Sequence, residues 1–172
     1  YPSVCKGVIV RGIFLLRKKE RRWFYQEGAS QIFPDAWENF LKPIPIHKQD
    51  NLLKAYYELL THEDSSKRIE AAKAWSVWEG STVKLIQNKA LMEHSSDAQF
   101  AEAFSRIECH YFTNNGWFDT DNYLIENVDK IRHIPAVIVH GRYDVVCPVE
   151  NAWELHKACL LYTSDAADDV NG

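Results

Sequence analysis

The sequence predicts an α/β fold in which part of a parallel sheet is interrupted by an inserted helical subdomain. Two short runs rich in β-branched residues, 6–12 and 136–140, are bounded by turn residues and have the length of buried parallel strands. More than one hundred residues with helical patterns separate these runs, although an ordinary crossover between parallel strands needs only one helix. We therefore expect a partial sheet with a helical cap.

The helical block divides into short segments with recognisable ends. Helices are predicted over 17–27, 34–41, 51–60, 65–86, 98–111 and 121–130. Gly28 stops the first of them, Asp64 or Ser65 can cap the fourth, and Asp97 can cap the fifth. The apolar stripe of the fifth helix predicts its buried face and consists of Phe100, Phe104, Ile107 and Tyr111.

The charge, apolar runs and cysteines of the chain indicate which kinds of binding partner to exclude. The net charge is −4 and there is no basic block, so we expect no nucleic-acid partner. The longest apolar runs fall far short of the roughly 18 residues of a membrane span, so we expect no membrane partner either. The four cysteines show neither a CxxC spacing nor a zinc pattern, which favours reduced thiols in a cytoplasmic protein. We predict no cofactor and no metal site.

The end of the chain breaks the pattern of the helix that starts near Val149. Residues 159–169 read Cys-Leu-Leu-Tyr-Thr-Ser-Asp-Ala-Ala-Asp-Asp and resemble the translation of a transposase-type sequencing adapter. We therefore predict a non-native tail over 159–172, with a natural acidic tail as the alternative. The other predicted divisions are a core strand over 1–14, the helical cap over 15–130, and a core strand, acid turn and helix over 131–158.

Asp144 is the first candidate catalytic residue. It follows the second predicted strand in the run His-Gly-Arg-Tyr-Asp, at the strand end where open α/β sheets place their chemistry. This position suggests the acid of an α/β-hydrolase triad, whose chain order is Ser, then Asp or Glu, then His. The alternative is a turn Asp that bonds nearby backbone N–H groups. No Gly-x-Ser-x-Gly occurs and His156 lies within the next helix, so we expect the nucleophile and the histidine outside this chain.

Glu79 and Glu108 form a second candidate site. Glu79 lies four residues after Trp75 on a largely apolar helix face, and Glu108 lies four residues after Phe104. A buried and unpaired carboxylate is very unfavourable, so each could pair with a basic residue such as Arg106 or reach water. The functional alternative is that both carboxylates face one aromatic pocket and bind a cationic group, such as a substrate ammonium.

Six segments of the sequence form a distinctive series of motifs. They are 10–17 (Val-Arg-Gly-Ile-Phe-Leu-Leu-Arg), 23–30 (Trp-Phe-Tyr-Gln-Glu-Gly-Ala-Ser), 33–37 (Phe-Pro-Asp-Ala-Trp), 74–80 (Ala-Trp-Ser-Val-Trp-Glu-Gly), 106–112 (Arg-Ile-Glu-Cys-His-Tyr-Phe) and 140–148 (His-Gly-Arg-Tyr-Asp-Val-Val-Cys-Pro). Together, and in this order, they resemble the motifs of the proline iminopeptidase (prolyl aminopeptidase) family of α/β-hydrolases. The resemblance extends from Tyr1 to about Ala158.

The resemblance implies a partial α/β-hydrolase sheet and the removal of an N-terminal proline from peptides by a Ser-His-Asp triad. Asp144 would be the triad acid, while Glu79 and Glu108 would bind the proline imino group. It also implies that the substrate pocket includes Phe14, Phe24, Cys147 and Arg11.

Three functions remain in competition. The first is a truncated piece of a cytoplasmic serine exopeptidase, which would not be catalytic by itself. The second is another cap-bearing hydrolase, such as an esterase or an epoxide hydrolase, although a neutral substrate needs no buried anions. The third is a non-enzymatic helical binding module. The sequence does not indicate an oligomeric state or a preferred peptide length.

Overall fold

The computed structural model describes residues 1–84, 86 and 89–159. Almost all of the predicted 159–172 tail lies outside the described residues, so that interpretation stays a prediction. No helix in the described ranges is long and apolar enough to cross a bilayer. The strands and α-helices are β1 (Val8–Arg11), α1 (Lys18–Tyr25), α2 (Pro34–Leu41), α3 (Leu52–Leu60), α4 (Ser65–Thr82), α5 (Lys89–Ser95), α6 (Ala98–Thr113), α7 (Tyr123–Glu126), β2 (Ala136–Val139) and α8 (Val149–Cys159).

The described chain divides into two compact units. One, which we call the strand unit, comprises Tyr1–Glu20 and the described part of Phe118–Gly172. The other, the helical unit, comprises Arg21–Trp117. The fold is therefore mixed and rich in helix, with a small parallel sheet. The domain bounds predicted from the sequence, including a cap over 15–130, stay a prediction.

The strand unit contains the parallel pairing expected from the two β-branched runs. β1 and β2 form a two-stranded parallel sheet in which Val8 is paired with Ala136 and Arg11 with Val139. One face of this sheet packs on α8 and on the segment that follows β1. The core residues of this unit are Ile13, Leu15, Ile138 and Ala152, with Val10, Ile125 and Leu155 packed against them.

The other face of the sheet differs from the expectation of strands buried on both sides. Ile9 is 78% exposed, Val137 is 41% exposed and Val139 is 37% exposed. Side chains alternate between the faces of a strand, so these residues all lie on the face opposite the core. Within the described ranges no helix covers that face, and for this reason the sheet is half-exposed.

The helical unit is built around α4, which packs against α2, α3, α5 and α6. Its core contains six aromatic side chains that are fully or almost fully buried. They are Phe24, Tyr25, Phe40, Tyr56, Trp75 and Trp78. Large aromatic side chains bury much apolar area each, so a few rings hold these short helices together.

The predicted helix starts are confirmed. Asp64 accepts the N–H of Ser66 at 2.9 Å, and Asp97 accepts the N–H of Phe100 at 2.8 Å. Each carboxylate therefore satisfies a donor at the N-terminus of its helix, α4 or α6. The predicted end of α4 near residue 86 is wrong, because the helix ends at Thr82. Ser81 and Thr82 turn their hydroxyls back onto carbonyls of the preceding turn, a bonding pattern that competes with helix continuation.

The predicted buried face of α6 is also wrong. Ile107 is 63% exposed and Tyr111 is 51% exposed. The face that packs inward is instead formed by Ala101, Ser105, Cys109 and Phe112. Three of these side chains are small, which lets α6 approach α3 and α4 closely. Close approach of the helices therefore decides the orientation of α6, and the apolar stripe does not.

Replacing Gly28 by Ala is expected to destabilise the fold by roughly 1–3 kcal/mol. Gly28 has φ of 146°, and a Cβ there would lie 2.4 Å from Cε3 of Trp23 and 2.9 Å from its carbonyl oxygen. Urea unfolding of the unmodified protein and of the Gly28→Ala variant measures the difference in their free energies of unfolding. Gly7→Ala is the matched control, because its Cβ would meet only the Pro135 carbonyl oxygen, at an ordinary 3.6 Å. Equal stability of all three proteins would contradict the argument.

Candidate active site

Asp144 lies in the turn that follows β2, where the sequence placed it. Its Oδ1 accepts the N–H of Cys147 at 2.8 Å, and its side chain is 28% exposed. The backbone bond is the turn contact expected under the structural alternative. That contact uses one carboxylate oxygen, so a partly exposed Asp144 can hold its turn and still meet a second group through Oδ2.

His140, at the end of β2, is buried beside this turn. Its Nδ1 accepts the N–H of Ile13 at 3.0 Å, and its Nε2 lies 2.6 Å from the carbonyl oxygen of Cys147. A carbonyl can only accept, so these two bonds assign the proton to Nε2 and make the ring neutral. Nε2 is 3.9 Å from Oδ2 of Asp144, which is too far for a hydrogen bond.

The other four residues that the resemblance placed in the pocket divide between the two units. In the strand unit, Arg11 is exposed, while Phe14 and Cys147 are half-buried. In the helical unit, Phe24 is 2% exposed and packs on Tyr25. Their contribution to a substrate pocket stays a prediction.

Glu79 and Glu108 come together in the helical unit through aromatic donors. Glu79, on α4, is 9% exposed and accepts a hydrogen bond from the hydroxyl of Tyr25. Glu108, on α6, accepts the indole N–H of Trp75 at 2.8 Å. The ring of Tyr25 stacks on that of Trp75 at 4.4 Å between centroids. The two carboxyls therefore share one pair of stacked aromatic rings as their immediate surroundings.

The sequence left open that Glu79 and Glu108 each form an ion pair with a basic residue, and the described residues do not show such pairs. Among the described residues, neither Glu79 nor Glu108 has a Lys or Arg within ion-pair distance. Arg106, which the sequence suggested as a partner, lies 3.6 Å from Glu102 instead. Within the described part of the chain, the buried Glu79 and the half-buried Glu108 are therefore held by neutral donors, and no basic side chain compensates a negative charge on them.

Burial and mutual repulsion change the protonation of the pair. Burial raises the pKa of Glu108 to about 7, although the Trp75 and Tyr25 hydrogen bonds oppose the rise. The pKa of Glu79 rises well above its ordinary value, because the group is buried and because the negative charge of Glu108 lies nearby. Near neutral pH the pair therefore carries less than its full charge of two. A cation that enters the site would favour loss of the remaining proton.

Tyr25 and Trp75 are the hydrogen-bond donors of the candidate carboxyl pair, and the sequence did not identify them. The sequence gave no reason to select these two side chains as hydrogen-bond donors. Trp75 precedes Glu79 by one helical turn, which placed both on one face of α4. Tyr25 lies 54 residues from its partner Glu79, so no local spacing could have revealed that contact.

Potential metal ligands and the cavity between α3 and α6 are two further features to compare with the surroundings of the carboxyl pair. Across the described residues, no three His, Cys, Asp or Glu side chains cluster closely enough to hold a metal ion. A cavity of about 510 Å³ between α3 and α6 is lined by residues that include Tyr57, Arg106 and His110, but not by Glu79 or Glu108. Carboxyl groups beside aromatic rings, as in this pair, are suited to bind a small organic cation.

No family model matches the chain. It is 60% identical to a probable proline iminopeptidase of Leptolyngbya boryana, over 99% of this chain and 54% of the relative. It is 53% identical to a proline iminopeptidase of Xanthomonas citri, over 88% of this chain and 48% of that protein. It is also 49% identical to a proline iminopeptidase of Arabidopsis thaliana, over 92% of this chain and 42% of that protein.

These identities cover most of the chain, including the segments that contain Asp144, Glu79 and Glu108. The chain spans about half the length of the curated relatives it matches. The relatives come from bacteria and a plant, and their names agree with the resemblance found in the six sequence motifs. Over the segment that aligns, the chain is therefore homologous to proteins named proline iminopeptidase.

Proposed function

We propose that a protein containing this chain is a serine exopeptidase that releases N-terminal proline from peptides. The observation that carries the proposal is the pair formed by the buried Glu79 and the half-buried Glu108, held by neutral aromatic donors and without a basic partner among the described residues. A buried anionic pair is costly unless a cation arrives to balance it. The names of the relatives supply the class of that cation, which is an N-terminal proline.

The chemistry of an N-terminal proline fits this pair. Its protonated secondary amine has one positive charge and two N–H donors, and its ring is compact and apolar. One carboxylate oxygen from each of Glu79 and Glu108 can accept one of these donors, and aromatic faces such as that of Tyr25 suit the ring. An acylated proline has neither the charge nor the donors, so the site would select free N-termini.

For the hydrolytic step we propose the triad mechanism, with Asp144 as the acid that orients a catalytic imidazole and stabilises its charged form. None of the serines lies in residues 12–17 or 140–148, the two segments that follow the strands. We therefore propose that the nucleophilic serine and the histidine come from the remainder of a protein of the relatives' length. The chain by itself is then inactive on proline arylamides.

We further propose that the helical unit is the substrate-binding cap and that the strand unit belongs to the hydrolase core. Phe14, Phe24 and Cys147 would line the apolar part of the proline pocket, and Arg11 would help to place the peptide. Cys5, Cys109 and Cys159 form no disulfide within the described residues, which supports our proposal of a reducing, cytoplasmic location. An esterase or an epoxide hydrolase acting on a neutral substrate would leave the carboxyl pair unexplained.

The experiment that tests this function uses a chimera in which residues 1–158 replace the matching segment of the Leptolyngbya boryana relative. We expect it to hydrolyse a prolyl arylamide and to act on the N-acetylprolyl arylamide roughly 10²–10⁴ times less efficiently in kcat/KM, because two charge-assisted hydrogen bonds are lost. Alanyl and leucyl arylamides are the controls for the ring. Equal use of the free and the acetylated proline substrate would exclude the proposal.

A further inference from the structure

Two segments of the strand unit meet at the carboxyl ends of the parallel strands. One follows β1 and contains Ile13 and Phe14, and the other follows β2 and contains Asp144 and Cys147. His140 bonds to both, through the N–H of Ile13 at Nδ1 and the carbonyl of Cys147 at Nε2. Its side chain is only 3% exposed, so both bonds form out of contact with bulk water.

The segment after β1 depends on this bond for its position. The N–H of Ile13 bonds to His140, and its carbonyl accepts the side-chain amide of Asn151 at 3.4 Å. Oδ1 of Asn151 in turn accepts a hydrogen bond from Nη2 of Arg17 at 3.0 Å. Gly12 and Leu16 both have positive φ, of 57° and 61°, so the backbone here is in an uncommon conformation that its surroundings must hold.

The turn after β2 depends on the same side chain. Asp144 accepts the N–H of Cys147 at 2.8 Å, while the carbonyl of Cys147 lies 2.6 Å from Nε2 of His140. The peptide groups on both sides of Cys147 are therefore fixed, one by the candidate acid and one by the imidazole. Loss of the imidazole would free the turn, and the Asp144 carboxylate would move with it.

We propose that His140 is a positioning residue that fixes the turn of Asp144 against the segment of Phe14. The inference rests on the proposed function, since it treats Asp144 as the triad acid. His140 itself is not the base of the triad. Both ring nitrogens bond to backbone groups, and Nε2 is 3.9 Å from Oδ2 of Asp144. A histidine oriented by Asp144 would need that carboxylate within hydrogen-bond distance.

The two bonds can be removed one at a time in the chimera. In His140→Asn the shorter amide reaches the position of Nδ1 and keeps an acceptor for Ile13, but it loses the donor to Cys147. In His140→Gln the longer amide reaches the position of Nε2 and keeps the donor to Cys147, but it loses the acceptor for Ile13. Titration of active enzyme with a serine-reactive phosphonate normalises each rate to the number of folded sites.

We expect His140→Asn to lower kcat per titrated site by roughly 10- to 100-fold with little change in KM, because the acid is displaced. We expect His140→Gln to keep most of kcat and to raise KM, because the Phe14 segment moves. Equal changes in kcat and KM for the two variants, or an unchanged kcat per site in His140→Asn, would overturn the proposal. If His140→Asn does not fold, His140→Gln decides alone, and a fall in its kcat without a rise in KM overturns the proposal.

Asp144→Asn is measured beside these variants to separate the two proposals. If Asp144→Asn keeps its activity, the proposed triad fails whatever His140 does. If Asp144→Asn is inactive and His140→Asn has the kcat of the unmodified chimera, the triad stands and the positioning role of His140 fails.

Discussion

Asp144→Asn in the chimera is expected to lower kcat on a prolyl arylamide by a factor on the order of 10⁴, with little change in KM. The amide oxygen of Asn can still accept the N–H of Cys147, so the turn should survive the change. The neutral amide cannot stabilise a charged imidazole, and its N–H₂ group favours the wrong tautomer of that ring. The effect should therefore fall on the chemical step and leave the fold intact.

Steady-state kinetics measure the expected fall in kcat. Thermal unfolding of the same preparations measures whether the fold is intact. Asp129→Asn is the matched control, since Asp129 is an exposed carboxylate of the strand unit that pairs with Arg132 on the surface. An exposed ion pair contributes little, so this variant should match the unmodified chimera in kcat. A loss under about tenfold in Asp144→Asn would remove Asp144 from the proposed triad.

The position of Asp144 could be predicted from the sequence because its determinants are local. A β-branched run, a Gly and a closing Pro define a strand and its exit within fifteen residues, and parallel strands place their carboxyl ends together. The parallel register of β1 and β2 confirms that argument. The caps at Asp64 and Asp97 were equally predictable, because a capping side chain bonds to a backbone N–H within its own turn.

The long-range features could not be predicted in the same way. Spacing placed Glu79 on an apolar face, but it did not identify Tyr25 as the donor or show that Arg106 would pair elsewhere. The predicted orientation of α6 was also wrong, because the orientation depends on how closely neighbouring helices approach and not on the strongest apolar stripe. Periodicity determines which residues share a face, whereas packing partners decide which face is buried.

The carboxyl pair makes the protein less stable as the pH rises. The folded-state pKa of Glu108 is about 7 and that of Glu79 is well above its ordinary value, so the folded state binds more protons than the unfolded state between about pH 4.5 and those values. Stability therefore falls with rising pH across that window. Such a cost is typical of a site arranged for a ligand, and it distinguishes the pair from a structural ion pair.

Glu79→Gln or Glu108→Gln in the chimera is expected to lower kcat/KM for a prolyl arylamide by roughly 10- to 150-fold, the equivalent of one charge-assisted hydrogen bond of about 1.5–3 kcal/mol. Hydrolysis of a small neutral ester by the same chimera should be spared. Each variant should also be more stable than the unmodified chimera above pH 7, because it removes a buried charge. A residue in a structural salt bridge would show lost stability and equal losses on both substrates.

The pH dependence of kcat/KM is a second test of whether the carboxyl pair binds the substrate cation. In the unmodified chimera, kcat/KM for the prolyl substrate should rise as pH passes through about 7, because loss of the proton from the pair creates the anion that binds the substrate cation. It should fall again once the substrate amine loses its own proton. In Glu108→Gln the part of this rise that Glu108 contributes should disappear, whereas the titration of the catalytic imidazole should remain with both the prolyl substrate and the ester.

Glu102→Gln is the matched control for this set. Glu102 lies on α6 with Glu108, but it is paired with Arg68 at 2.9 Å and lies 3.6 Å from Arg106. Its loss should lower stability slightly and leave the ratio of amide to ester hydrolysis unchanged. If Glu79→Gln and Glu108→Gln behave like Glu102→Gln, the pair is structural. A selective loss on the proline substrate combined with a gain in stability at high pH is the outcome that only a cation-binding pair produces.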